Sequence, residues 1–249
     1  MKIEEIKKLT SMPASSPVAG QDKFRCINRE FFIVDYETDV ELLRAAVPEP
    51  LELDLDNGPI AKFEVIKMAD FRGFGDFTES GIVIPVKYNG KKGGFVYQMY
   101  LDNFPAIAGG REIWGFPKKY GKPTLFCDSD TLVGQLKFGS LEVARATMPY
   151  KSKGLDLNAV KKALEETPGF LLKIIPDVDN TPKICELVEY GIEDVVVKEA
   201  YTGVAGLELF DHALAPMAKL PVKKVIKATH IITDLTLGWG EVKFDYLKK

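Results

Sequence analysis

The chain has 249 residues, 46% hydrophobic and 28% charged, with a net charge of −3. That composition suits a soluble globular protein of one large domain or two small ones. It excludes several classes: no basic block with interleaved aromatics points to nucleic acid, and no apolar run approaches the ~18 residues of a membrane span.

Three widely spaced cysteines (Cys26, Cys127, Cys185) make neither a disulfide framework nor a structural zinc site. Two histidines leave little for a metal site or a Ser-His-Asp triad. His212, in "LFDHALAP", is expected to be structural. No phosphate-loop, dinucleotide, metalloprotease or nucleophile-elbow motif occurs, so no metal and no cofactor are expected.

The first residues, "MKIEEIKKLT", mix charges and lack the apolar stretch of a secretory signal; the cysteine usage makes the expected compartment the reducing cytoplasm. Ile3, Ile6 and Leu9 form a stripe that predicts a short helix over 2–9. A Pro/Ser/Gly-rich arm, 11–23, follows. "RCINREFFIVDY" (25–36) is a strand, and Thr38 with Glu41 predicts a capping box for the helix "VELLRAAV".

Strand-like runs then follow closely: "IAKFEVIKM" (60–68), "DFTESGIVIPVKYNG" (76–90), "GGFVYQMYLD", "TLFCD", "TLVGQLKFG" and "LEVARATM". The Asn-Gly and Gly-Gly pairs in "KYNGKKGGFVY" signal a hairpin. "LDLNAVKKALEE" (155–166) is the clearest helix, with Leu157, Val160 and Leu164 on one face. Strands resume to the C-terminus. No linker and no internal repeat divides 1–249, which predicts one domain, mainly β with α, rich in antiparallel strands and with a few peripheral helices. The strands are too frequent, and their connections too short, for a βαβ series.

Charged residues inside the strands are either solvated on partly exposed faces or candidates for chemistry. A period of two puts Arg29 on a face with Phe31 and Ile33, Glu64 with Ile60, Ile66 and Met68, and Glu79 with Phe77, Gly81 and Val83. The opposite faces are also apolar, so periodicity does not choose the inside. In "REIWGFPKKYGKP" (111–123), Phe116 precedes a proline and is biased to an extended backbone. Extended neighbours point to opposite sides, so Lys118 and Lys119 cannot share one pocket. A lysine turned into apolar surroundings loses hydration, which favours the neutral amine, by ~3–5 pKa units at full burial. A neutral amine is what Schiff-base chemistry requires.

"REIWGFPKKYGKP" resembles the active-site segment of the acetoacetate decarboxylase family, and the likeness runs through most of the chain. "NREFFIVDYETDVELLRAAVPEPLELD", "FTESGIVIPVKYNGKKG", "MYLDNFPAIAGGRE", "DSDTLVGQLKFG" and "LLKIIPDVDNTPKICELVEY" fall in the family's order.

The resemblance implies an antiparallel β-barrel or cone enclosing the active site, in a large homo-oligomer, a dodecamer by that likeness. It implies decarboxylation of a small β-keto acid, acetoacetate, to acetone and carbon dioxide through a lysine Schiff base. Lys118 would form the imine and Lys119 would be its cationic neighbour. Glu79 would be the active-site carboxylate, with Arg29 and Glu64 as further charged groups of the cavity. Phe116 departs from the family, in which a tyrosine can stand there, so one hydroxyl is missing near the lysine.

Two other functions fit parts of this pattern: a Schiff-base aldolase-dehydratase acting on a larger keto acid, and a non-catalytic barrel that binds a small ligand. Borohydride trapping separates the last from both enzymes, and carbon dioxide release separates the two enzymes.

Overall fold

A computed structural model of the chain describes residues 1–18 and 23–248. Helix α1 (Ile3–Ile6) is only four residues long. Its stripe is not buried: Ile3, Ile6 and Leu9 are exposed. The arm read over 11–23 is irregular as far as Val18, and its residues 19–22 lie outside the described residues.

The strands are β1 (Phe24–Glu37), β2 (Glu52–Leu53), β3 (Ile60–Phe71), β4 (Gly75–Tyr88), β5 (Lys91–Leu101), β6 (Lys118–Tyr120), β7 (Lys122–Asp128) and β8 (Thr131–Phe138). They continue as β9 (Leu141–Pro149), β10 (Lys153–Gly154), β11 (Gly169–Pro176), β12 (Pro182–Tyr190), β13 (Ile192–Gly203), β14 (Gly206–Leu209), β15 (Lys224–Leu237) and β16 (Glu241–Asp245). Three further helices punctuate them: α2 (Val40–Ala46), α3 (Phe104–Gly109) and α4 (Leu157–Glu166).

Twelve strands make one large sheet in the order β10-β13-β15-β1-β3-β4-β5-β11-β12-β16, with β2 on β4 and β6 on β5. A second sheet has the order β14-β9-β8-β7. The expected mainly β fold with a few helices is present, and the barrel or cone takes the form of a large curved sheet. Two pairings, β5 with β11 and β5 with β6, are parallel. The large sheet is curved but open, since among the described residues its end strands β10 and β16 pair only with β13 and β12. Side chains, not a hydrogen-bonded seam, close the concave side: Val160 and Leu164 of α4 pack there against the inner apolar cluster.

The two-layer arrangement explains why both faces of the central strands are apolar. Phe32, Val34 and Tyr36 of β1, with Phe63 and Val65 of β3, face outward and pack on Leu132, Leu136 and Met148 of the small sheet. Phe31, Ile66, Met68 and Phe77 face inward and form a second cluster. Each fully buried aromatic or aliphatic side chain contributes ~1.5–3 kcal/mol.

Local signals account for the turns. Asn89 and Gly90 both have positive φ, 48° and 79°, as a two-residue type I′ hairpin requires. The cap of α2 is Asp39, one residue after the expected Thr38. The Asp39 carboxylate accepts from the Glu41 and Leu42 amides at 2.9 and 3.3 Å. Thr38 is fully buried, with its own amide on Pro59 O.

Candidate active site

The concave side of the large sheet encloses a cavity of about 440 Å³. Its wall is mostly apolar: Phe31, Ile66, Met68, Phe77, Met99 and Phe116 contribute to it. Arg29, Glu64, Glu79 and Lys118 line the same space. The structure therefore brings together four of the five charged residues singled out in the sequence.

Lys118 reaches the cavity because of three local features upstream. A five-residue π-helical turn, Gly110–Trp114, ends at Gly115, whose φ of 93° suits glycine. Trp114 anchors the turn: it is buried and donates its indole N–H to Gly238 O at 2.9 Å. Pro117 then lies within a tight turn in which the Lys118 amide donates to Phe116 O at 2.7 Å.

The chain enters β6 parallel to β5, with Lys118 beside Met99 and Lys119 beside Tyr100. Met99 belongs to the inner cluster and Tyr100 to the outer one. The alternation of β6 thus sends Lys118 inward and Lys119 outward. The Arg111 guanidinium holds the strand by donating to Lys118 O at 3.1 Å.

Inside the cavity, Lys118 Nζ stands 3.2 Å from Glu79 Oε2, with the two residues 8% and 5% exposed. Apart from this ion pair, that oxygen has no hydrogen-bond partner among the described residues. The amine also lies 4.9 Å from the Phe116 ring centre and 5.8 Å from that of Phe77. The lysine stem runs across Gly110, where a Cβ would meet Lys118 Cδ at 2.7 Å.

Glu64 is also buried, 9% exposed, and burial pushes its carboxyl up to about 7, with Lys62 and Arg29 opposing. The Arg29 guanidinium lies 4.2 Å over the Phe31 ring. Lys119 is not brought into the cavity. Its Nζ donates to Leu214 O at 2.6 Å and lies 5.5 Å from the Phe138 ring on the other face.

His212 is structural, as expected: its Nδ1 accepts from the Leu214 and Ala215 amides at 3.1 and 3.2 Å. Among the described residues no cluster of His, Cys, Asp or Glu is arranged to hold a metal.

Tyr190 was not singled out in the sequence: it falls inside the strand-like run from Pro182, and only the β11–β12 register shows its ring over Gly169 on the cavity wall.

Fold and chamber define the class: a two-layered β-sheet protein built round an enclosed lysine–carboxylate pair. Comparison with known proteins narrows it. The family profile described as acetoacetate decarboxylase (ADC) matches residues 11–247. An acetoacetate decarboxylase of Paraburkholderia xenovorans is 56% identical over 237 residues, covering 95% of this chain and 92% of that one. A solved acetoacetate decarboxylase structure superposes with a TM-score of 0.95 at 50% identity, over all of both chains. The crystal structure of the Legionella pneumophila acetoacetate decarboxylase gives a TM-score of 0.92 at 48% identity, over 100% of this chain and 98% of that one. The chain belongs to the acetoacetate decarboxylase family.

Proposed function

We propose that this chain decarboxylates acetoacetate to acetone and carbon dioxide through an imine on Lys118, with no cofactor. The observation that carries this reading is the Lys118–Glu79 pair, 3.2 Å apart and almost fully enclosed, in a member of this family.

The neutral Lys118 amine attacks the ketone carbon. The carbinolamine loses water and becomes a protonated ketimine, an electron sink β to the carboxylate. The bond to the carboxylate carbon breaks, carbon dioxide leaves, and its electron pair forms the enamine double bond as the iminium electrons settle on nitrogen. A proton adds to the terminal carbon. Water then cleaves the ketimine, releasing acetone and restoring the amine.

Glu79 exchanges protons with the amine, with the departing hydroxyl and with the enamine carbon. Arg29 attracts the substrate carboxylate into the chamber. Glu64, raised to about 7, is partly protonated at neutral pH and repels that anion less than an ordinary carboxylate would. The apolar wall suits the neutral carbon dioxide that forms. Lys119, on the far face, contributes only a distant charge.

The proposal extends to assembly and setting: residues 1–249 act as one domain, in a cytoplasmic homo-oligomer. The exposed apolar side chains of Ile3, Ile6 and Met12 support this, because a second copy would cover them. Among the described residues no helix is long and apolar enough to cross a membrane. Light scattering on the purified protein tests the assembly.

Carbon dioxide release from acetoacetate tests the reaction. The wild-type chain releases it, and Lys118→Ala does not. A wild-type chain that forms a borohydride-trappable imine with keto acids but releases no carbon dioxide would favour aldol or dehydration chemistry on the same lysine.

A further inference from the structure

Tyr190 is the last residue of β12 and sits opposite Gly169 in the antiparallel register with β11. A Cβ on Gly169 would overlap the Tyr190 ring at Cε1, Cζ and the phenol oxygen. The absent side chain therefore lets the ring fold across β11 into the cavity, which both residues line. There its edge meets Phe116, with ring centres 4.9 Å apart and planes at 62°. This contact fixes the ring beside the aromatic wall that flanks the Lys118 amine.

The phenol O–H is not used by the protein, since among the described residues it has no hydrogen-bond partner. It shares the cavity with Glu64, Arg29 and Glu79, all within electrostatic range of it. Burial, reinforced by Glu64, pushes the phenol upward, so it remains a protonated donor at neutral pH. An enclosed donor with no internal partner is poised for an acceptor on the ligand.

We propose that Tyr190 is a substrate-binding residue, whose phenol donates a hydrogen bond to the carboxylate of the β-keto acid and shares that anion with Arg29. The inference rests on the decarboxylase reading above. Lys118 and Glu79 are committed to the imine and to the oxygen that leaves as water. The carboxylate, one carbon beyond the ketone, is left to the remaining donors of the cavity. A neutral phenol also suits the reaction. The carboxylate charge moves into the enamine in the transition state, so a second cation held on it would stabilise the ground state more and slow the step. The phenol orients the anion without adding charge.

Tyr190→Phe removes only the hydroxyl and keeps the ring on Phe116 and Gly169. Two readouts test the role: steady-state decarboxylation of acetoacetate, and borohydride trapping of acetone on the lysine. Acetone lacks the carboxylate. The wild-type chain serves as control, and its failure to release carbon dioxide would count against the decarboxylase reading itself. In Tyr190→Phe, KM for acetoacetate is expected to rise about tenfold, equivalent to ~1.4 kcal/mol, with kcat within about threefold of wild type. Acetone trapping is expected to be unchanged. An unchanged KM would overturn the proposal, as would a fall in kcat alone. A parallel loss of acetone trapping would also overturn it, because the phenol would then act through Lys118 or the fold.

Discussion

Lys118 and Lys119 share a peptide bond and face opposite sides of a sheet: Lys118 Nζ ends 3.2 Å from Glu79 Oε2 inside the cavity, and Lys119 Nζ ends on Leu214 O outside it. Two causes compete for activating the amine, repulsion by a neighbouring cation and loss of hydration. The split leaves repulsion from Lys119 as a long-range effect through the sheet. Lys119→Met is therefore expected to keep the acid limb of the pH profile of kcat/KM near its wild-type position. A shift of that limb upward by more than about one pH unit would make Lys119 the activating group.

In the proposed mechanism Glu79 is the proton-transfer partner of Lys118, 3.2 Å away. Glu79→Gln keeps the shape and removes the base, so kcat is expected to fall by roughly 10²–10⁴. Trapping of the imine by borohydride should slow as well, because Glu79 also serves dehydration of the carbinolamine. Stopped-flow trapping and carbon dioxide release measure the two effects separately.

Gly110 holds the space for the lysine stem. The backbone there is helical, φ −61° and ψ −41°, a conformation in which alanine is favoured over glycine by ~0.5–1 kcal/mol. Gly110→Ala puts a methyl 2.7 Å from Lys118 Cδ and displaces the amine. Activity is expected to fall at least about tenfold with Tm changed by only a few degrees, since small misplacements of a reacting group are expensive in rate. Calorimetry alongside an activity assay distinguishes this from simple misfolding.

Glu64 gives a pH signature. Its carboxyl is raised in the folded state from 4.5 to about 7, so between those values the folded chain binds more protons than the unfolded chain. Stability from this residue is present below the unfolded value and is lost as pH rises through 7. The span amounts to on the order of 3 kcal/mol. Urea unfolding of wild type and Glu64→Gln at pH 5 and pH 8 checks it: the substitution should narrow the difference between the two pH values.

Much of this was legible because short strands with turn residues leave strong marks. Asn89-Gly90 announced its hairpin, and the period of two correctly grouped Arg29 with Phe31 and Glu79 with Phe77. The choice of inner face was hidden because a second sheet covers the other side, which makes both faces apolar. An irregularity in the β1–β15 register between Cys26 and Arg29 was hidden too. Asn28 has φ 54° there, and the shift lets both Cys26 and Phe31 reach the inner cluster. The open seam of the large sheet and the fold of Tyr190 over Gly169 depend on pairings between distant segments, which no local pattern carries.

The central claim is that one amine, that of Lys118, carries the substrate through loss of carbon dioxide. The most direct test treats the wild-type chain with acetoacetate and borohydride, then maps the modified peptide by mass spectrometry. The account predicts an isopropyl group on Lys118, the reduced ketimine of acetone, and none on Lys119. An adduct on Lys119, or carbon dioxide release that persists in Lys118→Ala, would contradict it.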